Sequence, residues 1–383
     1  MTTPGRRKPV LLVVAPDYLP DTGGIQLLAG RVTTNLRGFD IEVVTLASRR
    51  QMPPPSTFPV RRVPRVTSDR RVHVALLNAV GVLEGMRRRP DIVLNLHVAT
   101  APAAIALMRS VHIPYVQVVY GKELFRRRPL VTAALRDAAT VIAISNWTSS
   151  AARWVSPQAT VEVIPVGVDL PTSARRRPAA RPTVITVSRM SERYKGHDMM
   201  LRALPLVVAR IADVQWIVVG EGPLRPMYES MAKSLGLETH VTFTGRVSDD
   251  ERDRLLREAW MMAMISRLDA NGGGEGFGIA YLEAAGNRLP VVAGNVAGAT
   301  DAVLNGETGV LVDPTDHLAV AAAVIDLLSN REVADRMGRA ARKHVERLKW
   351  SDVAKRYEAA LFKVLAGSPP LSASTDHAKP AQG

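Results

Sequence analysis

Residues 272–295 read GGGEGFGIAYLEAAGNRLPVVAGN. A glycine-rich loop carrying Glu275 leads into a helical stretch expected to begin near Phe277, and the apolar run Pro290–Ala293 then reads as a strand. Loop, helix and short buried strand in that order are one step of a strand–helix–strand rhythm. Glu283 is then expected roughly two turns into the helix. At ~1.5 Å per residue the two carboxylates are separated by ~12 Å along the axis, too far for the direct carboxylate pair of a glycosidase. The separation suits two hydroxyl-bearing rings joined by a diphosphate, with the amides of Phe277, Gly278 and Ile279 aimed at the phosphates.

The same rhythm extends outward in both directions. Upstream, Thr183–Val187, Gln215–Val219, His240–Thr244 and Met261–Ile265 read as strands, and Gly309–Val312 follows downstream. An earlier set, Val10–Ala15, Ile41–Leu46, Ile92–Leu96, Tyr115–Val119 and Val141–Ile144, gives a second series. Continuous Val, Ile and Leu runs imply burial on both faces, as in a parallel sheet. Between the two series, LPTSARRRPAARP has no apolar period and reads as a linker. The expectation is an α/β protein with two Rossmann-like, doubly wound domains. Residues 1–170 form the first, 171–182 the linker and 183–349 the second; a final helix over 350–366 packs back on the first, and 367–383 form a disordered tail. Two such sheets facing one another place ligands in the cleft at their strand ends.

The chain has 383 residues and no cysteine, which excludes disulfides, iron–sulfur clusters, thiolate zinc sites and a cysteine nucleophile. No run approaches the ~18 apolar residues of a membrane span. RRKPVLLVVAP near the start has the look of a signal peptide, but its apolar run stops at Asp17 without a small-residue cleavage pattern, so it reads as a buried strand. The formal net charge is +14, and residues 1–170 hold 22 basic and 11 acidic side chains, most of the excess. That half therefore faces something anionic. Aromatic residues are few and do not interleave with the arginine runs at 87–89, 126–128 and 175–177, which argues against nucleic acid and leaves those runs as solvated surface.

Two further segments hold candidate chemistry. Gly23 and Gly24 follow the first strand and precede a helix, so backbone amides there can approach an anion; no G-x-G-x-x-G fingerprint is present. In VSRMSERYKGHD, Arg189 at a strand end and Lys195 before a helix are placed to grip a diphosphate, or else pair with Glu192 or Asp198 on the surface. No Asp-x-Asp pair follows an apolar strand; Asp249, Asp250 and Glu251 after Ser248 read as a capped, acidic helix start. The histidines lack metal-ligand spacing, so no metal and no cofactor are expected. Met261, Met262 and Met264 read as core filling.

EGFGIAYLE resembles the Glu–seven residues–Glu motif of the family 4 retaining glycosyltransferases, which have the two-domain GT-B fold. VSRMSERYKGHD, VVGEGPL, VTFTGRVSDDE and the Gly-Gly loop fall in that family's order, so the resemblance runs from about residue 10 to 365. It implies that Arg189 and Lys195 bind the donor diphosphate and stabilise the departing nucleotide. It further implies that Glu275 contacts donor-sugar hydroxyls, that Glu283 binds the ribose, that Arg246 and Val247 hold the nucleobase through the main chain, and that Gly220 lines the same cleft. The activity implied is transfer of a hexose from a UDP- or GDP-sugar to a hydroxyl acceptor, lipid-linked, glycan or small natural product, without a divalent metal.

The sequence departs from the family at one place. Where a His usually follows a first-half strand, VVYGKEL has Tyr120, which does not titrate near neutral pH. Either Tyr120 replaces the His, or His97, Lys122 or Glu123 supplies the contact, or catalysis is impaired. A nucleotide-sugar epimerase of the same fold and a non-catalytic nucleotide-sugar-binding protein remain alternatives. The resemblance implies a cytoplasmic enzyme, and the basic surplus in its acceptor half points either to peripheral contact with an anionic membrane at the inner face or to an acidic acceptor.

Overall fold

The computed structural model describes residues 7–21, 23–48, 56–125, 128–171 and 176–367. In the first half, strands β1 (Val10–Ala15), β2 (Asp40–Leu46), β3 (Val60–Val63), β4 (Ile92–Asn95), β5 (Tyr115–Val119), β6 (Thr140–Ala143) and β7 (Val161–Val163) alternate with helices α1 (Gly24–Asn35), α2 (Arg70–Arg88), α3 (Ala101–Val111), α4 (Arg128–Arg136) and α5 (Asn146–Val155). In the second, β8 (Thr183–Val187), β9 (Gln215–Val219), β10 (Val241–Gly245), β11 (Met261–Met264), β12 (Val291–Gly294) and β13 (Gly309–Val312) alternate with α6 (His197–Arg210), α7 (Arg225–Ser234), α8 (Asp249–Glu258), α9 (Ile279–Gly286), α10 (Ala299–Ala302) and α11 (His317–Ser329). Helices α12 (Arg331–Val345) and α13 (Trp350–Gly367) close the chain.

Every strand pair is parallel. The sheet orders are β3-β2-β1-β4-β5-β6-β7 and β10-β9-β8-β11-β12-β13. Both reverse direction beside their first strand, and the crevice at such a switch point is where open α/β sheets bind ligands. The crevices here lie after Ala15, where the Gly23-Gly24 turn sits, and after Val187, where Arg189 and Lys195 sit.

The central strands form because both of their faces are covered. Leu11, Leu12, Val13 and Val14 of β1 and Met261, Met262 and Met264 of β11 are all essentially buried. The apolar run near the start is thus an interior strand. Two strands escape the sequence reading, β3 (VRRV) and β7 (VEV). Both are sheet edges with mixed exposure, so neither needs an unbroken apolar run.

Arg87, Arg88, Arg89 and Arg177 of the arginine runs are exposed, as the sequence reading has them, and several basic side chains are ion-paired at the surface. Arg176 alone of the described run residues is drawn inward. Buried Glu84 accepts from both Arg61 and Arg87, Arg88 pairs with Glu42 at 3.1 Å, and Arg70 pairs with Asp17 at 2.8 Å. Arg176, 11% exposed, donates to the carbonyls of Ala259 and Trp260 and pairs with Asp335. Linker residues Arg177 and Ala179 likewise donate main-chain N–H groups to Arg257 and Glu258. Arg126, Arg127 and Arg175 lie outside the described residues.

Helix α13 packs against α1. Phe362 stacks on Phe39 with ring centroids 4.7 Å apart, and Glu358 accepts from the N–H groups of Arg37 and Gly38 at 2.9 and 3.0 Å. The chain therefore crosses between the domains twice, and a parallel bridge joins the crossings at Val168 and Lys349. Across the cleft, Lys122 pairs with Glu192, and Asn146 donates from N and Nδ2 to Asp301 at 3.0 and 2.6 Å.

Candidate active site

The loop after β8 ends in a 3₁₀ turn, Arg193–Lys195, before α6. It aims Lys195 at the glycine-rich loop, where its ammonium pairs with Glu275, at 15% and 13% exposure respectively. The surface pairing with Glu192 or Asp198 is not made, since Glu192 pairs with Lys122 and Asp198 takes a bidentate fork from Arg267, both arms 2.9 Å. Arg189 is exposed on the same loop. Tyr194 lies between two ammoniums, 4.9 Å from Lys122 and 5.2 Å from Lys195. A cavity of about 390 Å³ opens beside this group, lined by Lys122, Glu192, Tyr194, Arg267 and Asp269.

The carboxyl ends of β8, β9 and β10 meet at Gly220. Its N–H donates to the Gly245 carbonyl at 2.9 Å, and a Cβ there would lie 2.0 Å from the Ser188 carbonyl oxygen. Only glycine lets these backbones approach so closely. Arg246, exposed, and Val247, half-buried, follow directly. Gly220, Arg246 and Val247 thus share the ledge that begins with Arg189.

Helix α9 begins at Ile279, two residues later than expected, because Gly278 adopts a left-handed φ of 99° as its cap. Phe277 is therefore core, 4% exposed, and Glu283 is the fifth helical residue, little more than one turn in. The amides of Ile279 and Ala280 lack intrahelical acceptors and face out of the helix start. Gly24 packs there: a Cβ on it would sit 3.3 Å from Ile279 Cδ1. The starts of α1 and α9, one from each domain, therefore oppose one another, with Gly23 as the cap of α1.

Glu283 is four-fifths buried, with Arg252 Nη2 3.6 Å from its carboxylate. Burial raises its pKa to about 7, against the opposing pull of Arg252. His197, at the start of α6, is driven down to about 4, first by burial and then by Lys195, and bonds Ser188 Oγ at 3.1 Å, so it is neutral.

Tyr120 stands at the end of β5 as placed by sequence, but its hydroxyl is buried with no hydrogen-bond partner among the described residues. Burial also pushes that hydroxyl well above its usual value. What Tyr120 presents to the donor loop is its carbonyl, 2.2 Å from where a Cβ of Gly276 would be. Its N–H donates to Glu123, and His97 stacks on its ring at 6.3 Å while accepting from the Ala99 N–H through Nδ1.

Sequence reasoning missed Arg252, Tyr194 and Asp301. Arg252 sits in an acidic helix turn that reads as surface; only the fold brings its side chain to Glu283 of α9. Among the described residues, no three His, Asp or Glu side chains gather to hold a metal ion, and no helix is long and apolar enough to cross a membrane.

The family model for glycosyl transferases group 1 matches residues 173–344, and that for glycosyltransferase family 4 matches residues 22–171. A GDP-mannose-dependent alpha-(1-6)-phosphatidylinositol monomannoside mannosyltransferase of Mycobacterium tuberculosis is 32% identical over 359 residues, covering 88% of this chain and 93% of that protein. A protein of the same description from Mycolicibacterium smegmatis is 39% identical over 231 residues, 56% of this chain and 60% of that one. Among solved structures, sucrose-phosphate synthase from Thermosynechococcus elongatus superposes with a TM-score of 0.81 at 22% identity, covering 94% of this chain and all of that one. Anabaena HepE in complex with UDP-glucose gives 0.75 at 19% identity, covering 93% and 100%. The fold is thus GT-B.

Proposed function

The chain belongs to the group 1, family 4 glycosyltransferases and acts on a nucleotide sugar, and from that membership we propose that it transfers a hexose with retention at the anomeric carbon and without a divalent metal. The observation that carries the reading is the Lys195–Glu275 pair, held where the switch point of the second sheet meets the start of α9. A cation there is in place before substrate arrives, as electrostatic stabilisation of a leaving group requires.

When the donor binds, its diphosphate draws Lys195 from Glu275. Glu275 is then free to accept from sugar hydroxyls. Arg189 and the open amides at the start of α9 share the phosphate charge, in place of a metal. Arg246 and Val247 hold the base and Glu283 the ribose. In the transfer step the bond from the anomeric carbon to the phosphate oxygen breaks. The acceptor oxygen bonds to that carbon on the same face, and its proton passes to the departing phosphate. Tyr120 contributes shape and a fixed main chain, since its hydroxyl faces the interior.

The mannosyltransferase relatives support GDP-mannose as donor and a mannosylated phosphatidylinositol as acceptor. Membrane contact at the cytoplasmic face is supported by α2, where Val72, Ala75, Ala79, Leu83 and Met86 form an exposed stripe at helical spacing beside exposed Arg71 and Arg89. Incubation with labelled GDP-mannose and UDP-glucose, with and without chelator, tests the reading. Sugar on the lipid acceptor supports it, and an isomerised donor with no transfer contradicts it.

A further inference from the structure

Arg252 lies in the first turn of α8 and is drawn inward, 27% exposed, rather than extended into solvent. Its Nη1 meets Asp249 at 2.7 Å, and its Nη2 lies 3.4 Å from Asp253 and 3.6 Å from Glu283. Its Nε is buried with no hydrogen-bond partner among the described residues. The guanidinium thus bridges the acidic start of α8 to the wall of the nucleotide cleft with one donor still unengaged.

The other charges around Glu283 give this bridge its significance. Asp249 and Asp253 of α8 and Asp169 of the first crossover all act on Glu283, and all are anions. Asp169 is held by Arg31 of α1 at 2.7 Å. Arg342 of α12, which packs against α9, gives its Nη1 to the Gly286 carbonyl at 2.6 Å and its Nε to Glu346. Among the described residues, Arg252 is the one cation of the groups acting on Glu283. A buried carboxylate facing three anions needs such a partner to stay charged.

We propose that Arg252 is a positioning residue for donor binding: without touching the donor, it keeps the Glu283 carboxylate ionised and oriented to accept from both ribose hydroxyls. The inference rests on the reading of Glu283 as the ribose ligand. A protonated carboxyl has lost part of its acceptor capacity and receives two hydroxyls poorly. An Arg at this place therefore governs affinity through a neighbouring side chain.

Calorimetric titration with GDP and UDP, and with their 2′,3′-dideoxy forms, separates this role from a merely structural one. Arg252→Ala should bind GDP about tenfold more weakly at pH 7, the scale of one charge-assisted hydrogen bond, and regain affinity toward pH 9. Its affinity for the dideoxy nucleotide should stay unchanged, and Arg252→Lys should restore GDP binding to within about threefold. Equal weakening toward both nucleotides, or no weakening, would overturn the proposal. Glu283→Gln serves as the parallel control. If it loses ribose discrimination while Arg252→Ala keeps it, only the role of Arg252 falls. If Glu283→Gln keeps full discrimination, or neither nucleotide binds the wild type, the underlying reading falls as well. Thermal unfolding confirms folding, and Arg252→Gln replaces the alanine variant if that chain fails to fold.

Discussion

Lys195 and Glu275, 80 positions apart in sequence, form an ion pair at the mouth of the interdomain cleft. The pair places the proposed phosphate ligand and the proposed sugar ligand within one bond of each other before any donor is present. Lys195→Ala should therefore lower turnover by a factor on the order of 10²–10³, as loss of a preorganised charge does, with the fold retained by circular dichroism. Near-normal turnover would remove Lys195 from the leaving group.

Glu283 links function to pH. Its carboxyl titrates near 7, raised chiefly by burial, so donor affinity should fall as pH drops from 8 to 6. Stability moves the opposite way. A carboxyl whose pKa is higher folded than unfolded favours the folded state fully below its unfolded value, and that contribution is lost as pH rises through 7. Glu283→Gln should thus raise Tm at pH 8, match wild type near pH 4, and weaken donor binding. Thermal scans at both pH values check the sign, and a Glu283→Gln protein less stable at pH 8 would contradict it.

Tyr120→Phe should keep turnover within about threefold, because the deleted hydroxyl has no hydrogen-bond partner among the described residues. Tyr120→Ala opens a cavity in the core beside His97 and should lose ~3 kcal/mol of stability. A Phe variant as impaired as Lys195→Ala would instead give the hydroxyl a direct part in transfer.

Domain closure rests partly on polar contacts across the cleft, Lys122 to Glu192 and Asn146 to Asp301. Asp301→Ala combined with Glu192→Gln should shift the protein toward an open form with a larger radius of gyration by small-angle scattering. Addition of nucleotide should reverse the shift. An unchanged scattering profile would mean that the other contacts, such as Gly24 on Ile279 and α13 on α1, hold the domains together without these pairs.

Much of this architecture can be read from the sequence, since double burial writes itself as continuous Val, Ile and Leu runs in strands such as β1 and β4. Edge strands β3 and β7, interrupted by Arg61 and Arg62 and by Glu162, carry no such signal. The Gly-rich loop and Lys195 announce themselves because phosphate binding needs glycine, helix starts and cations close together. The start of α9 was displaced by the left-handed Gly278, a backbone property that composition does not reveal. Arg252 and Asp301 gain meaning only from elements distant in sequence. The paired arginines, Arg61 and Arg87 on buried Glu84 above all, show that net charge alone misstates how much basic surface is left without a counter-charge.

The most direct test of the central claim follows the anomeric configuration of the product by proton NMR, with GDP-mannose, a mannosylated phosphatidylinositol acceptor and excess EDTA. The prediction is sugar on the acceptor in the donor's own α configuration from wild type, and almost none from Lys195→Ala. A β-linked product, dependence on added metal, or undiminished product from the Lys195 variant would contradict it.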